Sequence, residues 1–234
     1  MSLLQIVQDI AVSVGIDEPA TVIGNTDTTY TQIKRLVEQD GAELSRFYDW
    51  RSIKENGIIT GDGATSQWDL PADFDRLVPG DALWIVGRPM WPVEGPISDE
   101  DMLAIQAGPT RPAFGVWRMF EQQMEIYPIP ATGVVYNLMY YRKGWIQPVD
   151  LSTFKERFTA DDDVPALPEH LLTLGGIWRW KRAKGLDYAE EFRTCQMEKL
   201  KATRSDGGLR KFRMRDKFDT LGRDPRRNAY SVIS

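Results

Sequence analysis

The sequence predicts an α+β protein: a helical bundle from the N- and C-terminal helices, a β-rich insertion, and an extended C-terminal tail. Three observations predict this class. Apolar residues recur at helical spacing toward both ends of the 234-residue chain, whereas Gly, Pro and short β-rich runs alternate in the middle. The last stretch shows neither pattern. The predicted bundle domain is 1–49 and 165–205, the insertion domain 50–149, the linker 150–164 and the arm 206–234.

The first helix is predicted over residues 3–14, because its apolar residues fall on one face: Leu3, Val7, Ile10 and Val14. Gly15 marks its end. No basic residue precedes Gly15, so we expect a helix here and no secretory signal.

A second helix begins near Thr29, which forms the pattern of a capping box with Gln32. Its apolar stripe comprises Ile33, Leu36, Val37, Leu44, Phe47 and Tyr48. Gly41 lies inside this helix, where glycine costs about 1 kcal/mol relative to alanine. We therefore expect close packing or a local kink at Gly41.

The middle of the chain is predicted as short strands joined by turns. The candidate strands are 53–60, 67–70, 82–86, 116–120, 124–127 and 134–141. The strands 116–120 and 124–127 are separated by three residues and predict a hairpin. The strand 134–141 is apolar on both faces and predicts a central position. Ser98 is predicted to cap a short helix that runs to Ala107.

Two more helices are predicted as a hairpin after the acidic linker. One begins at Pro168 and ends at Gly185. The other continues to about Thr203 with an apolar stripe of Tyr188, Phe192, Cys195 and Leu200.

The composition excludes several classes of protein. A single cysteine rules out an internal disulfide, and no apolar run approaches the roughly 20 residues of a membrane span. One histidine and one cysteine make a zinc site a poor expectation. We therefore predict no cofactor, no metal and no membrane partner.

No set of residues converges on catalysis. His170 lies in the first turn of a predicted helix and is expected at the surface, while Cys195 is expected as a small core residue. Asp73 and Asp75 are interpreted as turn residues, and the run 161–163 as a solvated acidic linker. The loop 61–63 has glycines but no Lys-Ser or Lys-Thr pair, so it predicts a β-turn. The sequence therefore indicates a structural protein and no enzyme.

Charge is divided unevenly along the chain. The arm 206–234 carries eight basic and four acidic residues, a net charge of +4. Since the whole chain has a net charge of −5, the other residues carry a net charge of −9. Basic residues and isolated apolar residues mix in this arm, a composition that fits equally a flexible terminus and a segment that folds onto a partner. The predicted binding residues are Leu209, Arg210, Phe212, Arg213, Met214, Arg215, Phe218, Leu221, Arg223, Tyr230, Val232 and Ile233. The last of these alternate like a strand and could extend a partner's sheet.

Two stretches are unusual in combination. The first is Thr-Tyr-Thr-Gln-Ile-Lys-Arg-Leu-Val from Thr29, continuing to Glu-Leu-Ser-Arg-Phe-Tyr-Asp-Trp at 43–50. The second is Trp-Asp-Leu-Pro-Ala-Asp-Phe-Asp-Arg-Leu-Val at 68–78. Trp50, Trp68, Leu70 and Phe74 are predicted to wedge the helical part against the β-rich part. An ordinary role as core anchors is compatible with the same residues.

Together these stretches resemble the head-to-tail adaptor proteins of tailed bacteriophages, especially the short-tailed type. The resemblance implies a ring of copies, usually twelve, beneath the portal protein. Such a ring extends the DNA channel, lets packaged DNA pass without specific binding, and offers a platform to the next tail or nozzle protein. It implies that the C-terminal arm grips the portal, and that the protein is made in the host cytoplasm and joins the virion at the head–tail junction.

Two other classes of function stay open on the sequence. A carbohydrate- or peptide-binding module would present the tryptophans of the β-rich part on one exposed sheet face. An enzyme of unknown type would place Asp73, Asp75 or His170 in a deep polar pocket.

Overall fold

The computed structural model describes residues 1–80, 83–87, 93–109, 112, 115–151 and 153–207. The described residues form five α-helices: α1 (Leu3–Ser13), α2 (Thr28–Phe47), α3 (Asp99–Ala107), α4 (Glu169–Ala183) and α5 (Ala189–Asp206). A 3-10 helix at Arg51–Ile53 follows α2. Together with several antiparallel strands they confirm the predicted α+β class.

The strands lie mainly between α2 and α4: β1 (Lys54–Thr60), β2 (Gln67–Asp69), β3 (Phe74–Leu77), β4 (Leu83–Ile85), β5 (Val116–Phe120), β6 (Gln123–Tyr127), β7 (Val135–Arg142), β8 (Ile146–Gln147) and β9 (Val164–Pro165). One sheet has β7 at its centre, with β1 on one side and β3 and β4 in succession on the other. A second sheet has the order β2-β6-β5, and β8 pairs with β9.

The predicted hairpin and central strand are confirmed. In the hairpin, Val116 pairs with Tyr127 and Phe120 with Gln123. Along β7, Tyr136 faces Ile59 of β1 on one side and Ile85 of β4 on the other. Tyr136, Leu138 and Tyr140 on one face of β7 and Tyr141 on the other are buried, and burial on both faces accounts for the apolar sequence of the strand.

The two sheets share one hydrophobic core. The first sheet contributes Ile59, Leu83, Tyr136, Leu138 and Tyr140, and the second contributes Trp117, Met124 and Ile126. Alternate residues of β7 point into this core, as the period of two in a strand requires.

A separate core lies among the helices. It is built from the apolar faces of α1, α2 and α4: Leu3, Ile6, Val7, Ile10, Ile33, Val37, Leu44, Leu171, Leu172 and Trp180. Helix α4 packs against α1, α2 and α5 and so occupies the centre of the bundle. The predicted α4–α5 hairpin is confirmed, although the fully buried residues of α5 are only Cys195 and Lys199.

The prediction of close packing at Gly41 is confirmed. A Cβ atom built at Gly41 would lie 2.2 Å from the indole ring of Trp145. Trp145 is 1% exposed and meets Phe158 edge-on at 5.4 Å. Residues after β7 therefore complete the helical core, including Trp145 and Ile146 from the predicted insertion and Phe158 from the predicted linker.

The start of α2 corrects the predicted capping box. The N-cap is Asp27, whose carboxylate accepts the backbone N–H of Thr29 at 2.8 Å. An aspartate ranks above threonine at this position, so the helix begins two residues before the predicted box.

Asp73 lies in a turn as predicted, whereas Asp75 and the acidic run 161–163 differ from their predicted turn and linker roles. Asp75 lies within β3, which pairs with β7 through a register shift. Asp163 is buried, and Asp161 accepts the backbone N–H groups of Val22 at 3.1 Å and Ile23 at 2.7 Å. These carboxylates bind backbone groups of the chain itself, and only Asp162 of the run is exposed.

Candidate functional site

The two stretches that carry the family resemblance contact each other through Arg76 of β3. Its Nη2 donates to the backbone carbonyls of Ser45 at 3.1 Å and Tyr48 at 3.2 Å, at the end of α2. It also donates to the carboxylate of Asp49 at 3.2 Å, while Nη1 donates to Asp75 at 2.9 Å. We call Arg76 and these four partners the Arg76 junction. It ties the last turn of a helix to a strand of the first sheet.

The guanidinium of Arg76 also lies over the ring of Tyr141, with 4.7 Å to the centroid. Burial, followed by the nearby charge of Asp49, raises the pKa of Tyr141 to about 12. The phenol therefore stays neutral over the ordinary pH range and offers its face to the cation.

A second arginine fastens the same two parts of the molecule. Arg142, at the end of β7, donates to the carbonyls of Ser52 at 2.7 Å and Gly144 at 3.2 Å, and to Glu55 at 2.6 Å. Its side chain is 7% exposed and stacks on Phe154. Buried guanidinium groups need such complete pairing, because an unpaired buried charge is strongly destabilising.

The four residues predicted at the domain junction lie on both sides of it. Trp50 is buried in the helical core, donates from its indole to Leu44 O at 2.7 Å, and meets Tyr48 edge-on. Trp68, Leu70 and Phe74 are half-buried and pack against the core between the sheets. Their wedge role stays a prediction.

The start of the predicted arm is fixed beside this junction. Asp206, the last residue of α5, accepts the backbone N–H of Arg51 at 3.1 Å. Arg51 Nη2 lies 3.5 Å from the carbonyl of Gly207. All of the predicted binding residues lie outside the described residues: Leu209, Arg210, Phe212, Arg213, Met214, Arg215, Phe218, Leu221, Arg223, Tyr230, Val232 and Ile233.

A buried ionic cluster joins α2, α4 and α5. The carboxylate of Asp40 is fully buried and accepts from Arg179 at 3.0 Å and from Lys199 at 3.4 Å. Arg179 also pairs with Glu43 at 2.6 Å. Burial raises the pKa of Asp40, although both cations lower it. A Cβ at Gly175 would meet this carboxylate at 2.0 Å, so α4 approaches α2 closely only because glycine stands there.

The candidates for catalysis lie apart. His170 is exposed in the first turn of α4, and Cys195 is buried against α4, where burial raises the pKa of its thiol. Asp73 accepts the hydroxyl of Tyr140 at 2.8 Å, and Asp75 is held by Arg76. The structure thus places Asp75 in the Arg76 junction and Asp73 against Tyr140 of β7, so these two carboxylates, the histidine and the thiol have different bonding partners.

The described residues also bear on metal sites and membrane spans. No cluster of three or more His, Cys, Asp or Glu side chains there could hold a metal ion. Within the same ranges, no helix combines the length and apolar character needed to cross a membrane.

Sequence reasoning missed Arg76, which forms the junction, and Arg142, which bonds the end of β7 to Ser52. Arg76 lies inside one of the quoted stretches and Arg142 closes the central strand. A basic residue at the end of an apolar strand, with acids in neighbouring segments, was the available signal. It could not identify the partners, because these lie far away in sequence.

Comparison with known proteins shows the family. Residues 1–229 match the family model described as SU10 adaptor protein. A search of curated proteins finds no match. The match covers both stretches of the junction and nearly the whole chain, in agreement with the resemblance to phage head-to-tail adaptors. The chain therefore belongs to the SU10 adaptor protein family.

Proposed function

We propose that this protein forms a ring beneath the portal of a tailed phage and joins the portal to the tail. The observation that carries the proposal is the family match over residues 1–229, which supports a phage adaptor role. Membership of an adaptor family also points to a non-enzymatic protein. The ring, usually of twelve copies, the short-tailed type of phage and the passage of DNA through the lumen belong to the proposal.

The C-terminal arm is the proposed portal-binding segment. Its root at Asp206 is tied to Arg51, so the arm would leave the body at a fixed place beside the Arg76 junction. The arm has a net charge of +4 and isolated apolar residues. Apolar side chains would supply affinity and arginines would supply orientation on an acidic portal surface.

The acidic body suits the proposed conduit for DNA. Residues outside the arm carry a net −9. Acidic residues that faced a lumen would hold phosphate groups weakly, which favours passage over binding. A cryo-EM ring with a strongly basic bore would contradict this part of the proposal.

Deletion of residues 208–234 tests the role of the arm. We expect the truncated protein to keep the circular dichroism and thermal midpoint of the full chain, because the described cores lie within residues 1–207. We expect it to lose binding to the purified cognate portal, measured by size-exclusion chromatography and electron microscopy.

A variant with the arm residues in scrambled order is the matched control, because it keeps length and charge. Loss of binding in both variants would show that the order of side chains matters. If the truncated protein bound the portal with the same affinity as the full chain does, the proposed role of the arm would be wrong.

A further inference from the structure

A groove between α2 and the segment that follows β7 is not used by the fold or by the proposed function. It has a volume of about 400 Å³. Its cationic lining comprises Arg35, Arg46, Lys143 and Arg157, and its acidic lining comprises Glu38, Asp75 and Glu156. A shallower hollow of about 740 Å³ lies beside it and shares Lys143, Glu156 and Arg157.

Most of the acids around the groove are already paired within the chain. Glu38 accepts the backbone N–H of Phe158 at 3.2 Å and lies 3.9 Å from Lys34. Asp75 is paired with Arg76 at 2.9 Å and lies 3.5 Å from Arg46. Within the described part of the chain, Glu156 is left as the acid of this lining without an ion pair.

Most of the cations around the groove have no acidic partner within the described part of the chain. Arg35, Lys143 and Arg157 are exposed, and none of them forms an ion pair with a described residue. Against the single unpaired acid, Glu156, the groove therefore presents an excess of positive charge. This excess is local, since the chain outside the arm carries a net −9.

The walls of the groove are held in place. Trp145 forms part of its lining while packing against Gly41 of α2 and against Phe158. The bond from Phe158 N–H to Glu38 ties the second wall to the helix. In the neighbouring hollow, Phe154 is half-buried and stacks on Arg142, so an apolar surface lies next to the cations. A binding surface with fixed walls loses little conformational freedom when it is occupied.

We propose that this groove binds an acidic peptide segment of a protein partner. Guanidinium groups form paired hydrogen bonds with carboxylates, and an apolar side chain of the segment would contact Phe154. A short acidic segment is favoured over nucleic acid, because a segment can place its carboxylates on the local cations alone. A continuous phosphate backbone would also run past Glu156 and over the acidic body, which would repel it. The inference goes beyond the adaptor role and does not depend on it.

Fluorescence anisotropy of the isolated full-length protein tests the proposal. The probe is a fluorescein-labelled peptide of about nine residues in which two glutamates alternate with one leucine, and its glutamine analogue is the uncharged control. We expect the acidic peptide to bind and the analogue to bind at least about tenfold more weakly, because the analogue cannot form ion pairs with the three exposed cations. Binding should weaken as salt is raised.

The decisive variant is R35Q/K143Q/R157Q. Its matched control is R182Q/R193Q/R204Q, which removes three exposed arginines of α4 and α5 that form no ion pair with a described residue. We expect about a tenfold loss of peptide binding in the groove variant and less than about a twofold loss in the control. Circular dichroism and the thermal midpoint check that both remain folded. If the triple variant unfolds, Arg35→Gln and Arg157→Gln are measured singly.

Four results would overturn the proposal. The first is no binding of the acidic peptide to the natural protein, and the second is no loss of peptide binding in the groove variant. The third is an equal loss of peptide binding in both triple variants, which would show a response to overall charge. The fourth is a single-stranded DNA that binds more tightly than the peptide and that the groove variant no longer binds, which would identify a nucleic-acid site instead.

Discussion

At the scale of single residues, Asp161 and Asp163 have structural roles that the sequence did not predict. Asp163 accepts the backbone N–H groups of Thr159 at 2.8 Å and Ala160 at 3.0 Å, and Asp161 binds the loop before α2. A run of three aspartates is usually a solvated segment. The bonds that Asp161 makes cross about 140 positions of the chain, so the sequence pattern held no sign of them.

The pH dependence of stability follows from Asp163. Burial opposes ionisation of its carboxyl, but the N–H groups of Thr159 and Ala160 and the charge of Lys155 hold its pKa below the usual value. The ionised carboxylate therefore stabilises the fold above about pH 4, and this contribution is lost as the pH falls below that value.

We expect Asp163→Asn to lower the free energy of unfolding at pH 7 by about 1–3 kcal/mol and to lessen the further loss between pH 5 and pH 3. Urea unfolding at each pH measures both effects. The exposed neighbour provides the control, because Asp162→Asn should behave like the natural protein. Identical pH profiles for the two variants would contradict the assignment.

The sequence around Gly41 predicted a close contact but not the residue that makes it. A glycine within a strong helical pattern predicted close packing or a kink, and the structure shows packing against Trp145. The identity of the partner was beyond the pattern, because Trp145 follows the central strand and reaches back to α2 only in the folded chain.

At the scale of elements, the segments with an apolar pattern or a recognisable cap were predicted, including the short strand β2 and the Ser98-capped helix α3, whereas β3 was not. The four long helices, the β5–β6 hairpin and the central strand β7 agree with the pattern of apolar residues. Strand β3 was missed because its sequence, Phe-Asp-Arg-Leu, has two charged residues in four. Arg76 bonds to the end of α2 and Asp75 pairs with Arg76, so the charges of this strand are satisfied by tertiary and neighbouring contacts within the chain.

Apart from the bonds of Lys199 to Asp40 and of Asp206 to Arg51, helix α5 is held on the bundle by a small apolar surface. It contacts α4, buries Cys195 and Lys199, and leaves Phe192, Met197 and Leu200 at least 40% exposed. Phe192 meets Trp178 edge-on at 5.1 Å and is the aromatic contact nearest Cys195 along the helix. An element with few buried contacts opens more readily than the rest of a protein.

Modification of the single cysteine by a thiol reagent would report this opening. We expect Phe192→Ala to speed the reaction of Cys195 by about 5- to 30-fold, since it removes roughly 1–2 kcal/mol of packing. Met197→Ala, at 54% exposure on the same helix, should change the rate by less than about twofold. Equal rates for the two variants, or a rate that follows global unfolding, would show that α5 does not open separately.

At the scale of the whole molecule, two hydrophobic cores are joined by a polar boundary. The helical core and the core between the sheets are separate clusters, and the Arg76 junction bonds one side to the other. The sequence predicted helices at both ends and strands between them. It could not predict that residues following β7 return to the helical core, since burial there depends on the path of the whole chain.

The Arg76→Lys variant tests the coupling of the two cores. Lysine keeps the charge but cannot reproduce the planar set of donors, so we expect the free energy of unfolding to fall by about 1–3 kcal/mol. We also expect the urea transitions followed by far-UV circular dichroism and by tryptophan fluorescence to separate, because each core then unfolds more independently. Arg193→Lys, at an exposed site, is the control and should leave the transitions coincident. Coincident transitions with unchanged stability in Arg76→Lys would show that the junction does not couple the cores.

The short edge strand β2 of the second sheet has a consequence for solubility. Its outer strand β2 is only three residues long, pairs with β6, and carries Asp69, which is exposed and bonded to Gln123. A brief strand with a negative charge is a poor template for a strand from another molecule. Molecules that collide along this side therefore tend to separate again instead of joining into aggregates, which favours solubility at high protein concentration.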